Sequence, residues 1–286
     1  MMPAGVPLLL VDGHNLLWRA AFGFPAAILS RDKTRDLTAE FGFFALLRVA
    51  IREELSEPPE VLVVFDGEHG AAERKDSDAD YKANRVLDEA ALKPLRAIPH
   101  VQRALTDYGI AWIEIDTAEA DDVIATLVKV TRNQDPERHV RIMSGDRDFY
   151  QLVDDRVHAL NTVMKRGRRH IGPAEVADRY GVTPDQWPDF CALKGDSADN
   201  IPGVKGIGEG TAAKLLAGGL HLDQLLASGR LTGAKKTKVT DVWEQVLAWR
   251  DLIRMRTDLD LPHHPTGHPT RELPKPADVI EKLGLW

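Results

Sequence analysis

Twice between residues 111 and 149 an apolar run opens directly onto carboxylates: Glu119, Asp121 and Asp122 follow the run at 111–115, and Asp146 and Asp148 follow the run at 139–143. Acids crowded at one rim of a sheet repel each other by roughly 4 kcal/mol per close pair at an intermediate dielectric, so the pattern requires cations. Hard divalent ions that prefer oxygen ligands, Mg2+ or Mn2+, are the natural counterions. Two earlier runs end alike, 7–11 (PLLLV) at Asp12 and 61–65 (VLVVF) at Asp66, each acid followed by glycine. One Asp-Gly after a strand is ordinary turn chemistry. Seven acids, each at or just past the C-terminal end of a predicted strand, fit the edge where open α/β sheets gather their ligands.

Holding these acids together takes parallel strands. The runs at 7–11, 61–65, 111–115, 139–143 and 157–163 are short and apolar, as buried parallel strands are. Phe41, Phe44, Ala45, Leu47 and Ile51 recur at helical spacing behind Thr38, which predicts a helix to about residue 55, stopped by Pro58 and Pro59. Further helices are predicted at 100–108, 119–131 and 149–153. Strands alternating with helices give an α/β fold with a mostly parallel sheet. The stretch 68–97 loses apolar periodicity and is largely charged, the composition of a lid, a binding loop or an insertion. No strand pattern survives beyond Pro173, so a boundary near residue 170 divides an α/β part from an all-helical part.

The chain has 286 residues, 43% of them hydrophobic, enough for a substantial core. Its net charge of −7 is unevenly spread: residues 1–150 carry 18 Lys+Arg against 26 Asp+Glu, and residues 151–286 carry 19 against 18. The acidic surplus therefore sits with the carboxylate clusters, and the remaining surface is close to neutral. Cys191 is the single cysteine, which excludes an internal disulfide and argues against a thiolate metal site; its place in FCAL predicts a buried structural thiol. The longest N-terminal apolar run, 6–11 with Pro7 inside it, is too short for a signal segment or a membrane span. A cytoplasmic monomer without membrane contact is the expectation.

The stretch 195–210, GDSADNIPGVKGIGEG, adds Asp196 and Asp199. If they reach the same rim they complete a two-metal site, in which ions about 4 Å apart activate water and stabilise the leaving oxygen. Gly203, Gly206, Gly208 and Gly210 make a tight turn opening onto a helix N-terminus, whose backbone N–H groups and dipole suit a phosphate oxygen without requiring any base. A plain helix connection would use glycines too. Tyr81, Lys82 and Arg85 (YKANR) offer an aromatic face and two cations, which fits a stacked nucleotide with its phosphate held, although most charged stretches are simply solvated. Arg19 follows Asp12 one or two helical turns on. The basic groups Lys165, Arg166, Arg168, Arg169 and Lys235, Lys236, Lys238 read as positioning phosphate contacts, and His263, His264 and His268, among prolines, as solvated.

The segments VDGHNLLWR, VVFDG, YKANR, EADDVIATL, GDRDFYQL and GDSADNIPGVKGIGEGTAAKLL, in this order, resemble the bacterial 5′-nuclease family, the flap endonuclease and 5′-3′ exonuclease that also forms the N-terminal domain of DNA polymerase I, over about residues 7–285. The resemblance implies a PIN-like α/β core with helices on both faces of the sheet, a helical arch at about 68–100, and a helix-three-turn-helix at about 184–220 that holds duplex DNA and can bind K+. It implies metal ligands at Asp12, Asp66, Glu119, Asp121, Asp122, Asp146, Asp148, Asp196 and Asp199. Arg19, Lys82 and Arg85 match the family's phosphate-contacting cations and Tyr81 its stacking aromatic. DNA contacts fall at Gly203, Lys205, Gly206, Gly208, Gly210, Thr211 and Lys214. The domains then read as a nuclease core at 1–170 and a helical DNA-binding region at 171–286. The implied activity is Mg2+- or Mn2+-dependent hydrolysis of DNA at 5′ ends or 5′ flaps of branched or nicked duplexes in replication and repair, by a stand-alone nuclease or an excised domain. Three departures stand out: Gly210 replaces the lysine of the family's GEKTA, Glu73 precedes Arg74 where an aromatic is common and the acid-rich KDSDAD follows, and the loop at Ser30 and Arg31 lacks the usual glycine after the serine. The alternatives are an RNA-directed PIN nuclease, which the 195–214 element argues against, and a non-catalytic branch-binding module, which the complete acid set argues against.

Overall fold

A computed structural model of the chain describes residues 5–24, 26–84 and 89–286. At its centre lies β1 (Leu8–Asp12), buried at all five residues. With β2 (Glu60–Asp66), β3 (Ala111–Ile115), β4 (Val140–Met143), β5 (Val157–Leu160) and β6 (His170–Ile171) it forms one six-stranded sheet in the order β3-β2-β1-β4-β5-β6. The first five strands run parallel, and β6 pairs antiparallel with β5. A parallel strand covered on both faces has no polar side to show, which is why LLLV and VLVVF are apolar throughout. The strand order reverses at β1, with β2 on one side and β4 on the other, and this opens a crevice at the C-terminal ends of the three.

On one face, α1 (Gly13–Gly23) and α2 (Thr38–Glu54) bury Leu17, Phe43, Phe44 and Leu47 with Leu9, Val11 and Val63. The arch stretch contains a short helix, α3 (Ala72–Ser77), with no buried residue, and then α4 (Glu89–Asp107). The helix expected at 100–108 thus begins much earlier and runs through Pro94 and Pro99. Its stripe Ala97, Val101, Ala104 and Leu105 packs into the same cluster as α1 and α2, and that burial outweighs the two lost backbone bonds. On the opposite face α5 (Ala120–Gln134) sets Val123, Ile124 and Leu127 against Leu8, Leu10 and Val64. The helix expected at 149–153 is a short 3-10 turn, Asp148–Leu152, and the strand expected to reach 163 stops at Leu160.

The helical half comprises α6 (Pro173–Tyr180), α7 (Trp187–Lys194), α8 (Glu209–Leu216), α9 (Leu222–Leu225), α10 (Gly233–Thr240) and α11 (Trp243–Ile253). Its core of Trp187, Phe190, Leu193, Leu216 and Trp249 also takes in Tyr150, Val153, Ala159 and Ile171. Residues beyond 254 then return to the sheet: Leu259 and Leu261 pack on the α5 side, and Leu273 joins the α1–α2 side together with Val279 from α12 (Pro276–Lys282). Apolar packing is thus shared across residue 170, because an extended tail has no core of its own and closes on the nearest apolar surface. Among the described residues no helix is long and apolar enough to cross a membrane.

Candidate active site

The three central strands end on acids that local geometry holds in place. Asp12 caps α1 by accepting the Asn15 N–H (3.0 Å) and also accepts the Ser144 hydroxyl (2.8 Å). Asp66 accepts the Ala120 N–H (2.7 Å) at the start of α5. Gly67 beside it runs so close to β3 that a Cβ would lie 2.0 Å from the Ile115 carbonyl oxygen, so the Asp-Gly pair is a steric requirement here. Asp121 comes from the first turn of α5, and Asp146 and Asp148 from the turn after β4; Asp148 accepts the Trp187 indole N–H (3.2 Å). The loop between α7 and α8 supplies Asp196 and Asp199, both buried.

These acids feel one another. Burial raises Asp12 to about 7, Asp66 and Asp146 add to the rise, and the bonds from Asn15 and Ser144 oppose it. Burial, and then Asp146, Asp12 and Asp66 against the opposing charge of Lys82, push Asp121 well up. Burial, and then Asp146, Asp199 and Asp196, do the same to Asp148. Asp146 therefore belongs to two sets, one with Asp12, Asp66 and Asp121, the other with Asp148, Asp196 and Asp199. Like-charge repulsion of this kind is what hard divalent cations relieve, and the carboxylate oxygens offered here are the donors such ions prefer. Cys191 brings its sulfur within 4.8 Å of donor atoms of Asp148 and Asp196, but burial and the charge of Asp148 raise its thiol, which stays protonated beside them.

A stability test follows from Asp12. In the unfolded chain it ionises near its ordinary value of 3.8, in the folded metal-free protein near 7. Between these values the folded state holds a proton that the unfolded state has lost, so stability must fall as pH rises through the window. Thermal melts of metal-free protein at about pH 5 and about pH 8 should show that fall, and Mn2+ should reverse most of it at the higher pH. A metal-free melting temperature that climbs across the window contradicts the assignment.

Glu119, at the N-cap of α5, is engaged by the arch. It accepts from Arg74 and Lys82 and from the Tyr81 hydroxyl (3.2 Å). Burial opposes its ionisation, yet Lys82 and Arg74 hold its carboxyl below the usual carboxylate range. Lys82 Nζ also lies 3.9 Å from Asp199. Three bonds stitch the arch base to the 196–200 loop: Lys82 N–H to the Asp199 carbonyl (3.1 Å), Asn84 Nδ2 to the Ser197 carbonyl (2.9 Å) and Asn200 Nδ2 to the Asp80 carbonyl (2.7 Å).

Four expected site residues, Glu119 as just described and Tyr81, Asp122 and Arg19, have partners within the chain, and one cannot be placed. Tyr81 is only 4% exposed, so its ring is not an open stacking face; its hydroxyl needs acceptors and finds them in Glu119 and Asp199. Asp122 is fully buried, with Oδ1 accepting from Arg74 Nη2 (2.7 Å) and the Arg256 N–H (2.8 Å) and Oδ2 accepting from Arg256 Nε (3.0 Å). Successive residues along a helix are turned by about 100°, and here Asp122 goes to the two arginines while Asp121 feels the rim acids. Arg19 donates to the hydroxyl and, at 3.0 Å, to the carbonyl of Thr162, with no carboxylate at ion-pair distance among the described residues. Arg85 lies outside the described residues. Arg74 and Arg256 escaped the sequence reading: both look like solvated charges until the fold brings their distant acids to them.

On the helical side, Gly203 has a φ of +65° and a Cβ there would sit 2.2 Å from the Gly195 nitrogen, so the turns between α7 and α8 close only on glycine. Lys205, Gly206, Gly208, Gly210 and Lys214 are exposed and Thr211 is half-buried. A cleft of about 600 Å³, lined by Asn84, Arg147, Lys194, Asp196, Asn200 and Gly208, lies between this turn and the arch base.

Residues 7–181 match the family model of the 5′-3′ exonuclease N-terminal resolvase-like domain, and residues 182–275 that of the 5′-3′ exonuclease C-terminal SAM fold. The thermostable DNA polymerase I of Thermus aquaticus is 38% identical over 266 residues, covering 91% of this chain and 30% of the relative. DNA polymerase I of Bacillus subtilis is 35% identical over 256 residues, covering 88% and 28%. The chain thus spans under a third of these relatives. Among solved structures, T5 D15 protein co-crystallised with metal ions superposes with a TM-score of 0.67 at 20% identity, over 86% of this chain and 88% of that one. The catalytic core of Rad2 in complex with DNA substrate superposes at 0.57 and 17% identity, over 99% and 88%. With both halves of the chain matched in sequence and the sheet and helices matched in space, the protein belongs to the 5′-3′ exonuclease family.

Proposed function

We propose that this chain is a divalent-metal-dependent 5′ nuclease that hydrolyses DNA phosphodiesters at 5′ ends or 5′ flaps of branched or nicked duplexes, acting in the cytoplasm in replication and repair. The observation that carries the reading is the pair of carboxylate sets joined at Asp146, set between the arch base and the glycine turn of the helical half. Mg2+ or Mn2+, held by Asp12, Asp66, Asp121 and Asp146 and by Asp146, Asp148, Asp196 and Asp199, would supply water activation and relief of charge on the leaving oxygen. The chain's own groups orient the reaction. Ser144 and the Asn15 N–H fix Asp12, the Ala120 N–H fixes Asp66, and Trp187 fixes Asp148. Lys82 stays protonated, since Asp199, Glu119 and Asp121 outweigh its burial, and its ammonium beside the rim suits a phosphate gaining charge. The N-terminus of α8, with Lys205 and Lys214 exposed, suits duplex phosphates and reads no base. Similarity to DNA polymerase I supports DNA as the substrate.

The deciding experiment is cleavage of a 5′-labelled flap duplex beside a blunt duplex and a matched RNA, in Mg2+, Mn2+ or EDTA. Short labelled product from the flap, absent in EDTA, is the expected result. Release of nucleotides from the blunt end alone would restrict the activity to exonuclease, cleavage of RNA alone would overturn the substrate, and intact DNA in Mn2+ would overturn the chemistry.

A further inference from the structure

We infer that Asp122 is a positioning residue of the arch and not a metal ligand, and that Arg74 and Arg256 are its working partners. The inference rests on the nuclease reading and deepens it. Both oxygens of Asp122 are spent on the two arginines, and the residue has no exposed surface.

The bonds of the two arginines show what Asp122 holds. Helix α3, at the root of the arch, buries none of its six residues, so apolar packing does not attach it. Arg74 does, donating to Asp122 and Glu119 and to the carbonyls of Leu252 (3.1 Å) and Arg254 (3.3 Å) at the end of α11. Arg256 joins Asp122 to Glu73 of the same helix. A cleft of about 350 Å³, lined by Glu73, Ser77, Asp78, Gln245 and Ala248, lies between α3 and α11, and these polar bonds bridge it. Asp122 therefore fastens three bodies at one point: the α5 terminus that carries Asp121, the arch root, and the last helix of the DNA-binding half. Through Arg74 it also orients Glu119, and Glu119 in turn holds Lys82 and Tyr81 of the arch base. An arch loosened at its root should fail first on substrates whose single strand must pass it, and least on a nick without a flap.

The test compares Asp122→Asn and Arg256→Ala with Asp121→Asn, reading Mn2+ binding by the free-ion electron paramagnetic resonance signal and cleavage of a flap against a nick. Expected are Mn2+ affinities within about twofold of wild type for the first two variants and at least about tenfold weaker for Asp121→Asn. The flap-to-nick rate ratio should fall about tenfold in Asp122→Asn and Arg256→Ala. Loss of Mn2+ affinity in Asp122→Asn like that of Asp121→Asn would overturn the inference, as would equal losses on flap and nick, the sign of a purely structural role. Should Asp122→Asn fail to fold, Arg256→Ala, which keeps the Arg74 pair, carries the same two readouts. If the wild type cleaves neither substrate the nuclease reading fails, and the Mn2+ comparison still decides whether Asp122 is a ligand.

Discussion

Asp146→Asn should abolish flap cleavage, lowering the rate by roughly a thousandfold or more, while the protein still binds the same DNA. Several kcal/mol of charge stabilisation depend on the cations, and about 4 kcal/mol is already a factor near a thousand. The charge of Asp146 acts on Asp12, Asp121 and Asp148 alike, so its loss is felt across the acid rim. Asp148→Asn removes charge from one set and should be severe but milder. Asparagine is close to isosteric, and its amide oxygen can still accept the Asp148 N–H that Asp146 Oδ1 accepts at 2.9 Å, so the turn after β4 should survive. The glycine turn and α8 are untouched, which is why DNA binding should persist. Removing one negative charge should also lower the pKa of Asp12, and with it the stability lost by the metal-free protein as pH rises. Single-turnover cleavage, paired with a gel shift in EDTA, measures both halves of the claim. Wild-type turnover in either variant would remove the acid rim from the mechanism.

Glu60→Ala is expected to cost about 3–5 kcal/mol of stability, the range for stranding one partner of a buried ion pair. Glu60 opens β2 and is nearly inaccessible, as is Arg138, whose Nη2 lies 2.6 Å from it. The same carboxylate accepts the Thr266 N–H (2.6 Å) and hydroxyl (2.8 Å) and the Gly267 N–H (2.9 Å). It therefore pins the returning C-terminal segment to the far end of the sheet from the acids. Alanine would leave a guanidinium without counter-charge and three donors without an acceptor. Burial opposes ionisation of Glu60, but Arg138, Thr266 and Gly267 together hold its carboxyl below the ordinary value of 4.5. Its contribution is thus complete above that value and lost as pH falls through the lowered one. Urea melts at neutral and acidic pH should show the gap between wild type and Glu60→Ala closing on the acid side. A neutral-pH difference below about 1 kcal/mol would mean that the Thr270 bonds to Pro59 and Val61 hold the segment unaided.

Much of the fold and part of the site are legible along the chain because they depend on neighbours in sequence. An apolar run of four or five residues ending in Asp-Gly reports a buried parallel strand and the acid at its tip, as at Asp12 and Asp66, and a third such run places Asp146 three residues past its end. The stripe of α2 was equally plain. The two-residue β6 carries too few side chains to show a period, and α4 hid its start behind two prolines that only packing against α1 and α2 overrides.

What no local pattern contains is the direction of a side chain whose partner is far along the chain. Asp121 and Asp122 are adjacent and chemically alike, yet the turn of α5 sends one into the crevice and gives the other to arginines 48 residues earlier and 134 residues later. Tyr81 and Lys82 stand in a stretch with the composition of a solvated loop, and only the approach of Glu119 and Asp199 from two other elements buries them. Composition and periodicity record which residues must leave water. Which charge meets which is decided by the fold, because a buried charge has no local substitute for its partner and must wait for the tertiary structure to supply one.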